Sequence, residues 1–231
     1  MIILSEESVS SCFDCPYIKG NKARYKYFHA NNLSPNELDE YLSKGWRKFS
    51  TFYFKPFCPN CKKCIPIRII TDKFLQSKSQ RRVIKKSSGI TVKLVQPKYK
   101  RNYYEIYKDH SLRFDKPVDD EDSFYKSFFQ NSCPAIISEY HFDNKLIAAG
   151  FIDVSEESFS SVYFIYYRKF ENQSLGTLSV LAEIELARVR EKKYYYLGYF
   201  IAENNSMNYK NRFYPHELFD WKLSKWHPVT K

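Results

Sequence analysis

The chain has 231 residues, a hydrophobic fraction of 43% and a formal net charge of +11. That much apolar content excludes a globally disordered chain, and the length suits one large domain or two small, closely packed ones. No stretch reaches the roughly 20 apolar residues of a membrane span, and the excess of positive charge points to a polyanionic partner.

In chain order, the first helix signal is Ser34-Pro35-Asn36-Glu37. Serine caps, proline takes the first turn and Glu37 completes a capping box. Leu38, Tyr41 and Leu42 give this helix its apolar face, and Gly45 ends it. Residues 50–54 read as a strand and residues 65–70 as another. Pro66 assigns the latter to a sheet edge or to a strand start. A second helix is expected after Ser79, running to Lys86 and closed by Gly89. Residues 90–95 follow as a strand, residues 99–114 as a helix and residues 124–129 as a short helix. The acidic stretch 116–122 marks a boundary between an N-terminal Cys-rich α/β region, residues 1–115, and a C-terminal acyltransferase-like α/β region, residues 116–231.

The second region is patterned more clearly. Apolar runs at 135–141 and 145–154 flank Asp143-Asn144, a hairpin turn signal. Residues 160–167 form a third strand and residues 194–200 a fourth. Between them lies a helix over 175–192, with Leu178, Leu181, Ala182, Leu186 and Val189 on one face. Hairpins followed by strand, helix and strand make a mixed α/β fold. The order fits an N-acyltransferase-like (GNAT-type) sheet, in which a helix N-terminus faces the donor.

The basic residues cluster. Runs stand at 78–86 and 98–104, the second with interleaved tyrosines, and Lys192-Lys193 and Lys210-Asn211-Arg212 add two more. Aromatics make up 18% of the chain, and charge interleaved with rings suits a nucleic acid better than a membrane. The start lacks the pattern of a signal peptide, so a cytoplasmic location and a monomer without a membrane partner are expected. Thiols stay reduced there, which makes the six cysteines ligands or free thiols rather than disulfides. Cys12 and Cys15 form one C-x2-C pair, and Cys58, Cys61 and Cys64 form C-x2-C-x2-C. Such spacing lets thiolates share a structural Zn2+ or an iron–sulfur cluster, with free buried thiols as the plain alternative.

Several segments, in order along nearly the whole chain, resemble the arginyl-tRNA–protein transferase family. They are Cys15-Pro16-Tyr17-Ile18, Tyr53-Phe54-Lys55-Pro56-Phe57-Cys58, Cys61-Lys62-Lys63-Cys64-Ile65-Pro66-Ile67-Arg68 and Ser77-Lys78-Ser79-Gln80-Arg81-Arg82. Ser174-Leu175-Gly176-Thr177, Tyr196-Leu197-Gly198-Tyr199 and Met207-Asn208-Tyr209-Lys210-Asn211-Arg212-Phe213 continue the series. The branch most similar is that of the bacterial aspartate/glutamate leucyltransferases. Cys12 makes a pair more like the eukaryotic branch, and Arg113-Phe114 stands where bacterial relatives show Arg-His.

The resemblance implies transfer of leucine or arginine from charged tRNA to the α-amine of proteins beginning with Asp or Glu, which marks them for degradation. An aminoacyl ester is already activated, so the chemistry requires no cofactor. Mild base help suffices for an amine whose free pKa is about 8, and Asp153, at a strand end, is the candidate. Backbone N–H groups of Leu175 and Gly176 at the helix start are candidates to hold the tetrahedral oxyanion. Arg81, Arg82, Lys210 and Arg212 are candidates for the acceptor carboxylate or for tRNA phosphates, with Arg68 and Gln80 joining the substrate-binding set through the matching motifs. Tyr163, Tyr196 and Tyr199 are candidates to line the cleft and stack the terminal adenine. Two other functions compete: a metal-stabilised tRNA- or RNA-binding module without activity, and an acyl-coenzyme A transferase. The second lacks the Gly-rich pyrophosphate loop of its class.

Overall fold

The computed structural model describes residues 1–114 and 117–230. The expected boundary at 115/116 falls on Asp115 and Lys116, outside the described residues. Strand β1 (Ile2–Val9) opens the chain, followed by the two-residue β2 (Phe13–Asp14) and β3 (Lys22–Ala23) and by β4 (Tyr25–Asn31). Helix α1 (Pro35–Ser43) begins as the motif predicts. Ser34 accepts from the Glu37 amide, and Glu37 accepts in return from the Ser34 amide. Strands β5 (Arg47–Phe49) and β6 (Phe52–Pro56) form a hairpin, so the strand expected at 50–54 starts later. Ser50, at positive φ, sits in the turn instead. With β1 and β4 these strands make a small antiparallel sheet in the order β1-β4-β6-β5.

Strand β7 (Ile65–Ile70) matches its expected bounds but is interior, between later strands. Pro66 is tolerated because it stands near the strand start, outside the three residues that pair with the neighbour on that side. Helix α2 (Lys78–Lys86) starts earlier than expected. Ser77 rather than Ser79 caps it, in a second capping box with Gln80. Strand β8 (Ile90–Val95) agrees with the pattern. Helix α3 (Arg101–Ser111) is shorter than expected, and α4 (Glu121–Phe129) is longer because Asp120 caps it through the Ser123 amide.

Strands β9 (Ala135–Phe142) and β10 (Lys145–Val154) form the expected hairpin, with Asp143 and Asn144 both at positive φ. Strand β11 (Ser158–Tyr166), helix α5 (Leu175–Val189) and strand β12 (Tyr194–Phe200) follow. A closing hairpin, β13 (His216–Asp220) and β14 (Lys225–Val229), carries no strong sequence signal. Among the described residues, eight strands form one mixed sheet in the order β14-β13-β7-β12-β11-β10-β9-β8. Its neighbours are antiparallel except β11 and β12, which run parallel with α5 as their crossover.

Both faces of this sheet are covered. Phe151 and Ala149 of β10 pack with α3 and α4 through Tyr103, Ile106, Phe124 and Phe128. Ile152 faces α5 through Val180, Leu181 and Ile184. This two-sided cover explains why β10 reads as one apolar run. Within it Gly150 gives room to a buried carboxylate: a Cβ there would lie 2.2 Å from Glu183 Oε1 and 2.5 Å from Ser138 Oγ. Three hydroxyls donate to Glu183, from Ser138 at 2.8 Å, Tyr140 at 3.4 Å and Tyr195 at 2.5 Å.

Burial pushes the Glu183 carboxyl up to about 7. A raised pKa means that the native state holds the proton more tightly than the unfolded chain. The stabilisation from this group is complete below about pH 4.5 and is lost as pH rises through 7, an effect on the order of 3 kcal/mol. Glu183→Gln, which stays neutral, is expected to flatten this part of the pH dependence and to be at least as stable as wild type at pH 8. Urea unfolding at pH 5 and pH 8 checks it.

Candidate active site

The parallel pair β11–β12 is paired only over Ser158–Tyr194, Phe159–Tyr195 and Ser160–Tyr196. Beyond that point the strands part. Each is bulged close by, β11 against β10 next to Ser161, and β12 against β7 between Tyr196 and Gly198. The opening lies toward the carboxyl ends of both strands, where open α/β sheets bind ligands. Helix α5 begins on the same side, because it follows the end of β11 in the chain.

Two cations enter the opening. Arg47 comes from β5 of the small sheet. Its Nη1 donates to Ser160 Oγ at 2.8 Å and its Nη2 donates to the Ser161 carbonyl. Lys210 comes from the 3-10 segment Asn208–Arg212, and its Nζ donates to the Tyr199 carbonyl at 3.1 Å. Both flank Gly198. A Cβ at that position would lie 3.6 Å from Lys210 Nζ and 3.7 Å from Arg47 Nη2. Gly198 also has φ +83°, a conformation that favours glycine. Burial and the Arg47 charge pull Lys210 down to about 7.

Serine caps α1 and α2 and aspartate caps α4, but α5 has no side-chain cap. Ser174 precedes it in the left-handed conformation, at φ 56° and ψ 37°. The space beside Gly176 is open: a Cβ there would meet nothing within 4 Å. Leu175 itself is buried against Tyr140, Ala148 and Tyr166. The first amides of α5 are therefore uncapped donors at the positive end of a helix dipole, a geometry suited to a developing oxyanion.

The other residues singled out from sequence occupy distinct places. Asp153 is buried one strand behind the opening, in register with Ser160, and pairs with Lys48 at 2.9 Å. Arg68 is a clamp. Its Nε donates to Glu217 Oε2 at 2.6 Å and its Nη1 to Tyr196 Oη at 3.0 Å, and its guanidinium lies 3.7 Å from the Tyr194 ring and 4.3 Å from the Trp226 ring. Gln80 is buried, and its Nε2 donates to the Arg212 carbonyl at 3.1 Å, tying α2 to the segment that carries Lys210. Arg81, Arg82 and Arg212 are exposed. Arg81 Nη1 donates to the Gln76 carbonyl at 2.7 Å.

The three tyrosines do not meet. Tyr163 stacks on Phe128, with ring centroids 5.4 Å apart, in the α3–α4 cluster. Tyr196 belongs to the Arg68 clamp, and the Tyr199 hydroxyl donates to the Gly45 carbonyl at 3.1 Å. Of the residues named from sequence, Lys210 stands at the opening, Leu175 and Gly176 at the helix start on its side, and Tyr199 beside it through its carbonyl. Arg47 was missed. It is one of 37 basic residues, marked in sequence only by its neighbour Lys48, and only the parting of β11 and β12 gives it meaning.

The cysteines separate as well. Cys15, Cys58, Cys61 and Cys64 line one cavity with Tyr17, Tyr25 and Tyr199. Burial, with the other three thiols close by, pushes Cys64 up to about 12. Cys12 is exposed and its Sγ accepts from Arg24 Nη2 at 3.2 Å, outside that cavity. Among the described residues, no three His, Cys, Asp or Glu side chains converge as metal ligands do. The expected Cys-rich N-terminal region thus divides: four thiols share a cavity, and Cys12 lies outside it against Arg24. Cys133 is buried, as expected for a lone core cysteine. No helix among the described residues is long and apolar enough to cross a membrane.

Comparison with known proteins follows the same segments. The family model for the N terminus of arginine-tRNA-protein transferase matches residues 13–82, and that for its C terminus matches residues 100–220. The chain is 33% identical to the aspartate/glutamate leucyltransferase of Helicobacter hepaticus, over 88% of each chain. It is 30% identical to that of Campylobacter jejuni, again over 88% of each. Among solved structures, L-PGS from Bacillus licheniformis aligns at a TM-score of 0.48 and 14% identity, over 84% of this chain and 69% of that one. Matched through both of its halves, the chain belongs to the arginine-tRNA-protein transferase family.

Proposed function

We propose that this protein transfers leucine from leucyl-tRNA to the N-terminal α-amine of proteins that begin with aspartate or glutamate, marking them for degradation. The observation that carries it is the opening between β11 and β12, which has uncapped helix amides on one side and the cations Arg47 and Lys210 within it. The relatives named above supply leucine as the donor, and arginine is the family's other donor.

The acceptor amine attacks the ester carbonyl at the tRNA 3′ end. A C–N bond forms, the C–O bond to the ribose breaks, and the proton lost by nitrogen is balanced by the one the ribose oxygen gains. The amides of Leu175 and Gly176 stabilise the oxyanion between these events. Asp153, the candidate base, is buried and paired with Lys48, so it acts from behind Ser160 through its charge on Arg47, while the amine sheds its proton to water. The N-acyltransferase-like (GNAT-type) description belongs to the same proposal. Its support is the β11–α5–β12 unit, whose strands part on the side where α5 begins.

The test is a transfer assay with labelled leucyl- and arginyl-tRNA and peptides beginning with Asp, Glu, Lys, Arg and Ala. Leucine transfer to Asp and Glu peptides is expected. No transfer from either tRNA to any acid-fronted peptide overturns the proposal and leaves an inactive RNA-binding module.

The RNA is met by α2. Lys78, Arg81, Arg82, Lys85 and Lys86 are exposed, and none takes part in an ion pair among the described residues. Each contact with a phosphate releases a counterion. The Arg81→Ala/Arg82→Ala double variant is expected to raise the KM for leucyl-tRNA and to make the slope of log K against log salt shallower by about one per lost contact. Activity and affinity measured across a salt series check this.

A structural Zn2+ or iron–sulfur cluster on Cys15, Cys58, Cys61 and Cys64 is a separate element of the proposal. Its support is the cavity the four thiols share, and thiolate sets of this kind are closed and structural rather than catalytic. Metal and sulfide analysis of anaerobically purified protein is expected to find one site per chain, lost in Cys58→Ser. A metal-free, fully folded chain would remove it.

A further inference from the structure

The two cations in the opening are not neutralised by the protein. Asp153 bears on Arg47 from behind, but its ion pair is with Lys48. The charge that acts on Lys210 is that of Arg47 itself, so two like charges face each other at Gly198. Neither forms an ion pair among the described residues, and both are half-buried. Other buried charges here are matched: Lys48 with Asp153 and Arg68 with Glu217. A matched pair offsets its desolvation, and an unmatched pair of equal sign does not.

Both side chains have donors to spare. Arg47 uses Nη1 on Ser160 and Nη2 on the Ser161 carbonyl, out of five N–H groups in all. Lys210 uses one of its three on the Tyr199 carbonyl. These bonds fix both groups to backbone or strand atoms, so their positions are set before any ligand arrives. Gly198 is the floor between them, without a side chain to fill the space.

We propose that Arg47 and Lys210 together receive the side-chain carboxylate of the acceptor's first residue. This rests on the transferase function proposed above and names the residues that set its acceptor specificity. A guanidinium fork beside an ammonium matches a small planar anion. RNA phosphates are instead met by the exposed cations of α2, which long side chains can offer to a wide polyanion. A carboxylate held at Gly198 keeps the α-amine within a short side chain's reach of the point where the strands part. Asparagine and glutamine have the same shape without the charge, and they leave both cations unmatched.

The experiment titrates wild type and Lys210→Met with short peptides beginning with Asp, Glu, Asn and Gln, by calorimetry without tRNA, and measures leucine transfer to the same peptides. Wild type is expected to favour each acid over its amide by about 100-fold, and Lys210→Met to narrow that preference at least about tenfold. The KM for leucyl-tRNA is expected to stay unchanged. Arg47→Lys keeps the charge but not the fork. It is expected to weaken acid-fronted peptides about tenfold and to spare the amides, and it carries the test should Lys210→Met not fold. A preference for acids that survives these changes overturns the proposal. So does a loss of leucyl-tRNA affinity that is the same for every acceptor, which would assign the pair to an RNA phosphate. Transfer without any preference for acid over amide removes this pocket but leaves the transferase standing. Binding of acids without transfer from any charged tRNA removes the transferase but leaves the pocket.

Discussion

Parallel strands that separate leave amide and carbonyl groups without a ladder partner, and buried backbone groups must find one. In this chain side chains answer part of that demand: Arg47 bonds the Ser161 carbonyl of β11, and Lys210 bonds the Tyr199 carbonyl of β12. Each therefore does two things at once, completing the backbone where the sheet opens and placing a positive charge inside the opening. Arg47 arrives from the small sheet, so the same contact joins the two sheets. Gly198 makes the arrangement possible, by its backbone conformation and by the space it leaves.

Around that opening the interior is neutral or paired. Lys48 and Asp153 neutralise each other, Arg68 is held by a carboxylate and two rings, and Glu183 sits among three hydroxyls with its carboxyl pushed up to about 7 by burial. Each of these groups is spent on its neighbours. The contrast explains how a chain with a large excess of basic residues concentrates its reactivity. Most cations are either solvated on the surface or fully engaged, and the opening holds the pair that is neither.

Much of the fold was legible because its signals are local. The capping boxes at Ser34 and Ser77, the Asp143-Asn144 turn and the apolar runs of β7, β8, β10 and β12 depend on residues a few positions apart. The strands that were missed lack such signals. β1 is exposed along its whole length, and β14 carries Pro228 and the charged Lys225 at a sheet edge. Within the site, the helix start at Leu175-Gly176 and Lys210 stood in recognisable motifs. The pairing of Asp153 with Lys48 and the arrival of Arg47 at Ser160 join residues more than a hundred positions apart, and no spacing rule reaches that far. The cysteines show the opposite failure. Their spacing offers five candidate thiols without saying which belong together; four share a cavity and Cys12 turns to Arg24.

The place of β7 sets the order in which this protein can be built. Both of its neighbours, β12 and β13, come from the last part of the chain. During synthesis the strand around Ile67 and Ile69 emerges early, apolar and unpaired, and waits until Tyr194 and then His216 have been made. Distant pairing of this kind slows folding and leaves a strand edge open to foreign chains. The arrangement that brings the two halves into one sheet thus leaves the newborn polypeptide with an open apolar edge until its last strands are made.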